Sequence, residues 1–367
     1  MTRLHDLYHQ QGQSPWLDNL QRGWITGGEL AHWVGRGVRG ITSNPTIFQK
    51  AISASAAYDE QFGDLVAGGQ SVDDAYWGMV TADVEDALRI LRPVHDESAG
   101  VDGYVSLEVA PDLARDLDGT VAEARELHGR IDEPNLFVKV PATAEGVGAI
   151  RQLVGEGHSI NVTLIFGLDR YDEVMEAYIG GLEAYDGDLA RVSSVASFFV
   201  SRVDTEVDRR LGAIGTEQAL ALRGKAAVAQ AQLAYMRFLD KFQGPRWQAL
   251  ADRGARVQRP LWASTSTKNP AYRDTLYVDT LIGPDTVNTM PESTLEAVDD
   301  HGTLARTVDA DPQAAWGTLA AIGDAGVDLD DVSRALEDQG VASFAKSFDE
   351  LIAALSTKAE DLRSGSS

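Results

Sequence analysis

Asn135-Leu136-Phe137-Val138-Lys139-Val140-Pro141 is a short apolar run that carries one cation. In an extended strand alternate side chains share a face, so Leu136, Val138 and Val140 form one apolar set, and Phe137 and Lys139 form the other. If the apolar set packs against helices, Lys139 points into the interior of a sheet closed on itself. Removing an ammonium group from water is costly. A lysine held there either pairs with a carboxylate or gives up its proton and becomes a nucleophile, and the second outcome is Schiff-base chemistry.

On either side of this run, short apolar segments alternate with amphipathic stretches. The expected strands are Pro15–Leu20, Gly40–Pro45, Tyr104–Val109, Leu136–Val140, Ile160–Ile165, Val192–Val200, Arg259–Ser264 and Thr286–Met290. Helical periodicity fills the intervals over Thr26–Gly35, Ser71–Leu91, Thr120–Gly129, Gly146–Gly155, Leu168–Tyr178 and Gln218–Phe242. Strands separated by helices in this way predict an α/β fold, a closed (β/α)8 TIM barrel. After Pro291 an Ala-rich acidic segment predicts additional C-terminal helices over Asp311–Ile322, Leu329–Gln339 and Val341–Ser356. Residues 1–367 are therefore expected to form a single barrel domain, with 293–367 as a helical extension packed on it. The ending from Arg363 to Ser367 reads as a frayed tail.

The 367 residues are 44% hydrophobic, enough to bury one large core. Acidic residues outnumber basic ones by 56 to 32, for a formal charge of -24. Such a surface repels nucleic acid and anionic membranes, so neither is an expected partner, and an anionic substrate needs a local basic pocket. No run of about 18 apolar residues occurs, and Met1 to Gln13 is polar, unlike a signal peptide, so a cytoplasmic location is expected. The lack of cysteine removes disulfides, thiolate metal sites and thiol nucleophiles, and the histidines show no metal-ligand spacing. Neither a metal nor a cofactor is expected.

The parity that turns Lys139 inward predicts the other inward residues as well. It selects Trp16 and Asp18 on the first strand, Thr42 and Asn44 on the second, and Ser106 and Glu108 on the third. Asn161 and Thr163 follow on the fifth, Ser197 and Phe199 on the sixth, and Trp262 and Ser264 on the seventh. Polar groups thus gather near the carboxyl ends of the strands, where barrel enzymes build their sites. Each residue also has a plainer reading. Glu108 with Lys139 can be a structural ion pair, Asn44 before Pro45 a turn former, Ser197 and Thr163 packed hydroxyls, and Trp16, Trp262 and Phe199 core filling. Taken together, a lysine, two carboxylates, two amides and several hydroxyls are a poor way to fill a core, and a polar catalytic cavity accounts for all of them.

The segments Gly40-Ile41-Thr42-Ser43-Asn44-Pro45-Thr46, Leu136-Phe137-Val138-Lys139-Val140-Pro141-Ala142-Thr143 and Ile160-Asn161-Val162-Thr163-Leu164-Ile165-Phe166 resemble strand signatures of transaldolases. Ser106-Leu107-Glu108-Val109 and Ser197-Phe198-Phe199-Val200-Ser201-Arg202 resemble two more, in the same order. The likeness runs from Asp18 to about Pro291 and is closest to the longer bacterial form, whose barrel carries a helical extension and which sometimes occurs fused to a sugar-phosphate isomerase. It implies a transferase of the non-oxidative pentose phosphate pathway, working through a lysine Schiff base. By the resemblance, Lys139 attacks the ketose carbonyl at C2, Asp18 exchanges the proton of the C4 hydroxyl, and Glu108 with Thr163 and a water relays protons. Asn44, Asn161 and Ser197 would hold the dihydroxyacetone unit, and Phe199 would lie beside it.

The same mapping gives Arg202 and Ser264 to the substrate phosphate. Here the chain departs from the commoner family pattern. Where many transaldolases read Ala-Ser-Phe-Arg after the seventh strand, this one reads Trp262-Ala263-Ser264-Thr265-Ser266-Thr267-Lys268-Asn269. Lys268 is the candidate for the second phosphate cation, with Ser266 behind it, and the plainer reading is a solvated lysine in a loop. The leading expectation is transfer of dihydroxyacetone from sedoheptulose 7-phosphate to glyceraldehyde 3-phosphate, giving erythrose 4-phosphate and fructose 6-phosphate. One alternative is a related class I aldolase that releases free dihydroxyacetone from fructose 6-phosphate. Against it, Phe199 stands where the related aldolases carry a tyrosine, and a phenyl ring has no hydroxyl with which to activate water. The other alternative is a non-catalytic barrel that binds sugar phosphates.

Overall fold

The apolar set that opened the reading, Leu136, Val138 and Val140, is buried to within 1% of complete, against the helices on the outside of the sheet. Burying one such side chain contributes roughly 1.5–3 kcal/mol. In the computed structural model, which describes residues 1–365, the strands are β1 (Gln13–Asp18), β2 (Gly40–Thr42), β3 (Tyr104–Glu108), β4 (Leu136–Pro141), β5 (Ile160–Ile165), β6 (Ser194–Phe199), β7 (Arg259–Ala263) and β8 (Thr286–Met290). Each pairs in parallel with the next, and β8 returns to β1. The expected closed barrel is present.

The interior follows the predicted alternation on most strands. Trp16 stacks on Phe137 with ring centroids 6.2 Å apart, and Phe137 stacks on Tyr104 at 4.0 Å. Gly40 is required here, because a Cβ at that position would lie 2.3 Å from the Trp16 ring. β7 is the exception, and the inward reading of Trp262 is corrected by the structure. Its ring meets Phe198 edge-on and its Nε1 donates to the Leu281 carbonyl, while Phe198 in turn meets Tyr171 of the helix Leu168–Ala184. Arg259, on the opposite parity, reaches the interior instead. Ser264 still faces the barrel mouth, because its φ of 57° breaks the alternation just past the strand.

The amino-terminal end of the barrel is closed by an ionic plug. Asp102, fully buried, accepts from Ser14 Oγ at 2.7 Å, Arg39 Nε at 2.8 Å, Arg259 Nη2 at 3.0 Å and Trp16 Nε1 at 3.2 Å. A helix not anticipated from the polar N-terminus, Arg3–Gln11, lays Tyr8 3.6 Å from the Arg39 guanidinium and covers this end.

Two other helical expectations change. Gln218–Phe242 is broken into Glu217–Leu220 and Ala226–Lys241, because Gly224 turns the chain at φ 71°. Conversely, Leu329–Gln339 and Val341–Ser356 are one helix, Leu329–Gly365. Gly340, between the two expected helices, instead leaves room for a side chain, since a Cβ there would lie 2.9 Å from Leu164 Cδ2. The tail expected to fray is helical as far as Gly365, and residues 366 and 367 lie outside the described residues.

The long helix crosses the carboxyl-terminal end of the barrel. Asp331 pairs with Arg210 at 2.7 Å, Glu337 with Arg170 at 3.7 Å, and Ser347 Oγ shares a hydrogen bond with Thr46 Oγ1 at 2.8 Å. Those partners lie on the helices that follow β6, β5 and β2 respectively, so the long helix ties these elements together. Among the described residues no helix is long and apolar enough to cross a membrane.

Candidate active site

Glu108 and Lys139 are register partners on β3 and β4, and their ends meet with Nζ 3.0 Å from Oε2. Both side chains are about 6% exposed, so the pair is shielded from bulk water. Lys139 Nζ also donates to the Ser43 carbonyl at 3.1 Å, which fixes the amine at the mouth of the barrel. Burial raises the pKa of Glu108, with the charges of Lys139 and Arg202 pulling it back and that of Asp18 adding to the rise. A carboxyl poised in this way next to an amine is suited to taking and returning a proton.

Asp18, Thr42, Asn44, Lys139, Thr163, Ser197, Phe199, Arg202 and Ser264 all line one narrow cavity of about 60 Å³ at this end of the barrel. Thr42 Oγ1 donates to Asp18 Oδ1 at 2.9 Å, which orients the carboxylate. Asn44 caps the helix Pro45–Ser53, accepting from the Ile47 amide at 3.0 Å through Oδ1. The turn-former reading and the cavity reading of Asn44 are therefore both satisfied, since its amide nitrogen is left for a ligand. Thr163 Oγ1 is buried and has no hydrogen-bond partner among the described residues. An orphaned hydroxyl facing a polar cavity is a position for a bound water or a substrate oxygen.

Asn161 and Glu108 lie behind the cavity wall. Asn161 Nδ2 donates to Ser106 Oγ at 2.9 Å, and Asn161 Oδ1 accepts from Ser197 Oγ at 2.8 Å. This chain of hydrogen bonds holds Ser197 from below.

Arg202 stands at the opposite side of the mouth, at the start of the helix Ser201–Ile214. Its guanidinium lies 5.1 Å from the Phe199 ring, and desolvation lowers its pKa, against the pull of Asp18 and Glu108. Ser264 Oγ is 2.9 Å from Ser201 Oγ. Arg202 and Ser264 together make a cationic corner of the kind that takes a phosphate. Lys268 is outside the cavity, bonded to Ser266 Oγ at 2.7 Å and lining a neighbouring space with Asp208 and Tyr272. The residue is exposed overall, yet its ammonium end is partly desolvated, which lowers its pKa, and the Arg202 charge adds to that effect. It is thus an outer cation of the same corner. Lys50, missed in the sequence, acts electrostatically on Lys268 from the helix after β2.

Three other cavity residues were not anticipated, of which Ala263 faces in because β7 has the parity opposite to that expected. Thr289 of β8 shares a hydrogen bond with Thr42 at 3.0 Å, and extending the alternation to Thr286–Met290 would have found it. Phe344, on the C-terminal helix, has no such local signal. A more spacious cavity, about 780 Å³, lies at the amino-terminal face around His95, His128 and His158 and holds none of the residues selected from the sequence.

Comparison with known proteins agrees with this geometry. The family model described as transaldolase/fructose-6-phosphate aldolase matches residues 15–355. The protein named Transaldolase 1 from Streptomyces avermitilis is 51% identical over 362 residues, spanning 97% of this chain and 95% of its own length. A Thermobifida fusca protein named Transaldolase is 52% identical over 346 residues, 93% of this chain and 94% of that one. A Parafrankia protein of the same name is 53% identical over the same number of residues, again 93% and 94%. With a buried lysine and carboxylate in register on β3 and β4, and with likeness over nearly its whole length, the chain belongs to the transaldolase/fructose-6-phosphate aldolase family.

Proposed function

We propose that the protein is a transaldolase that moves a dihydroxyacetone unit from sedoheptulose 7-phosphate to glyceraldehyde 3-phosphate, giving erythrose 4-phosphate and fructose 6-phosphate. The observation that carries this reading is the 3.0 Å approach of Lys139 Nζ to Glu108, beside a cavity that Asp18 and Arg202 also line. Lys139 loses a proton toward Glu108 and attacks C2 of the ketose. Glu108, with a water held at Thr163, then carries protons as the carbinolamine dehydrates to the Schiff base. Asp18 takes the C4 hydroxyl proton, the C3–C4 bond breaks, and the aldose leaves while an enamine stays on Lys139. The acceptor aldehyde enters, C3 bonds to its carbonyl carbon, and Asp18 returns the proton to the new hydroxyl.

Asn44 and Ser197 hydrogen-bond the hydroxyls of the three-carbon unit, with Asn161 positioning Ser197. Arg202 and Ser264 hold the phosphate, with Lys268 as the outer cation. Phe199 lines the cavity and offers no hydroxyl for water activation, which favours transfer over release. We assign the whole chain to one domain, with the segment from 293 onward as its extension, and assign it to the cytoplasm, a reading supported by the polar stretch Met1 to Gln13. The reading is tested by a coupled assay that compares erythrose 4-phosphate-dependent transfer with release of free dihydroxyacetone from fructose 6-phosphate. Transfer should dominate. Release alone would make the protein an aldolase of the same family, and neither activity would leave a binding barrel.

A further inference from the structure

The C-terminal helix brings one apolar side chain over the site. Phe344, 4% exposed, lines the same cavity as Lys139, and its ring centroid is 5.8 Å from Lys139 Nζ and 5.8 Å from the Arg202 guanidinium carbon. With Phe199 on the other side at 5.1 Å, Arg202 is flanked by two phenyl rings. The helix is held in place on both sides of Phe344. Before it, Glu337 pairs with Arg170, and Gly340 packs against Leu164. After it, Ser347 bonds Thr46, and the Phe348 ring meets Tyr76 edge-on at 5.3 Å. The ring is therefore fixed above the reacting nitrogen by contacts from β5, the helices following β2 and β5, and the helix before β3.

We propose that Phe344 is a specificity-determining residue, the apolar roof that keeps water from the Lys139 enamine so that the three-carbon unit is transferred instead of released. This inference rests on the functional reading above. Release needs a proton delivered to C3 of the enamine, which converts it to an imine. One water then adds at C2; its oxygen becomes the ketone oxygen, the C2–N bond breaks with its electron pair returning to nitrogen, and free dihydroxyacetone leaves the Lys139 amine. Transfer instead spends the C3 electron pair on a bond to the acceptor aldehyde. The two routes compete for one carbon. A phenyl ring over that carbon supplies neither a proton nor a hydrogen bond to water, and it occupies space through which water would enter from the helix side.

The test uses the full-length chain with Phe344→Ala and Phe344→Leu. The ratio of free dihydroxyacetone release to transfer is measured from fructose 6-phosphate with erythrose 4-phosphate as acceptor, and thermal unfolding is followed in parallel. In Phe344→Ala the ratio should rise about 10-fold or more, a partition shift that general weakening of the fold would not produce. Phe344→Leu keeps an apolar side chain of intermediate size, should raise the ratio by only about 3-fold, and answers the question even if alanine compromises folding. An unchanged ratio in the folded variants, with transfer intact in the unaltered protein, overturns the role of Phe344 and leaves the transaldolase reading standing. Proportional loss of both activities reduces Phe344 to a structural residue and also overturns it. Absence of transfer in the unaltered protein overturns the functional reading, and this inference with it.

Discussion

Glu108 and Lys139 occupy the same register position on adjacent parallel strands, and their functional atoms meet at 3.0 Å inside a nearly closed space. Neighbouring inward positions on β3 and β4 cannot avoid each other, so the strand pairing itself delivers the acid to the amine. Two charges taken out of water at this spot are a poor stability device, and a chemical use explains them better.

Replacing Lys139 with alanine removes the only inward amine among the cavity-lining residues. Borohydride reduction in the presence of fructose 6-phosphate should leave an irreversible adduct on the unaltered protein and none on Lys139→Ala, as read by intact-mass measurement. An adduct that survives the substitution would assign the nucleophile elsewhere.

Asp18 lines the cavity and is oriented by Thr42, but among the described residues it forms no hydrogen bond or ion pair with Lys139. Asp18→Ala should therefore still form the trapped adduct, while carbon–carbon cleavage falls by about 10²–10⁴-fold, the usual yield of a positioned acid or base. If trapping is lost along with cleavage, Asp18 takes part in the earlier step.

The pH dependence of adduct formation should follow Glu108. Desolvation raises its carboxyl above the ordinary 4.5, and only the ionised form accepts a proton from Lys139. The rate should fall as pH drops through that raised value, placing the acid limb above 4.5. In Glu108→Gln the rate should be low and this limb absent. A limb unchanged in position would belong to another group.

At the phosphate corner Arg202 sits in the cavity and Lys268 outside it. Arg202→Ala should raise KM for fructose 6-phosphate about 30-fold, from the loss of roughly 2 kcal/mol of charge-assisted hydrogen bonding. Lys268→Ala should raise it less, and neither should alter KM for unphosphorylated dihydroxyacetone as donor to the same extent. Equal effects on both substrates would remove either residue from the phosphate site.

The ionic plug at the far end makes a stability prediction. Burial alone would raise the Asp102 carboxyl, but Arg259 and Arg39 outweigh it and hold the carboxyl below its ordinary 3.8. A depressed carboxylate stabilises the fold above its unfolded value, and that contribution fades as pH falls through the folded one. Asp102→Asn leaves two guanidiniums without their counter-charge and should cost about 3–5 kcal/mol at neutral pH by urea unfolding. The gap between variant and unaltered protein should narrow below pH 3.8. A constant gap would mean that shape, not charge, is what Asp102 supplies.

The barrel and most of its inward residues were readable in one dimension because strand alternation is a local rule. Once Lys139 was placed inside, its neighbours on β1 to β6 followed, and all but Glu108 and Asn161 of those chosen for the site reach the cavity. The same rule failed on β7, where Arg259 takes the interior to meet Asp102 and turns Trp262 outward, and where a left-handed residue, Ser264, restores the aim. That choice depends on a carboxylate preceding β3 and has no trace in the strand itself.

The chain's order of residues was enough to decide the class of fold and to bring Lys139, Asp18 and Glu108 forward as the candidates for its chemistry. Folding in three dimensions had to decide which helix covers them. Phe344 reaches Lys139 only because Gly340, Glu337 and Ser347 find partners on a strand and two helices far away in the chain. Periodicity records which face of a helix is apolar, but not which distant surface that face will meet, since that is settled by the packing of all the elements at once.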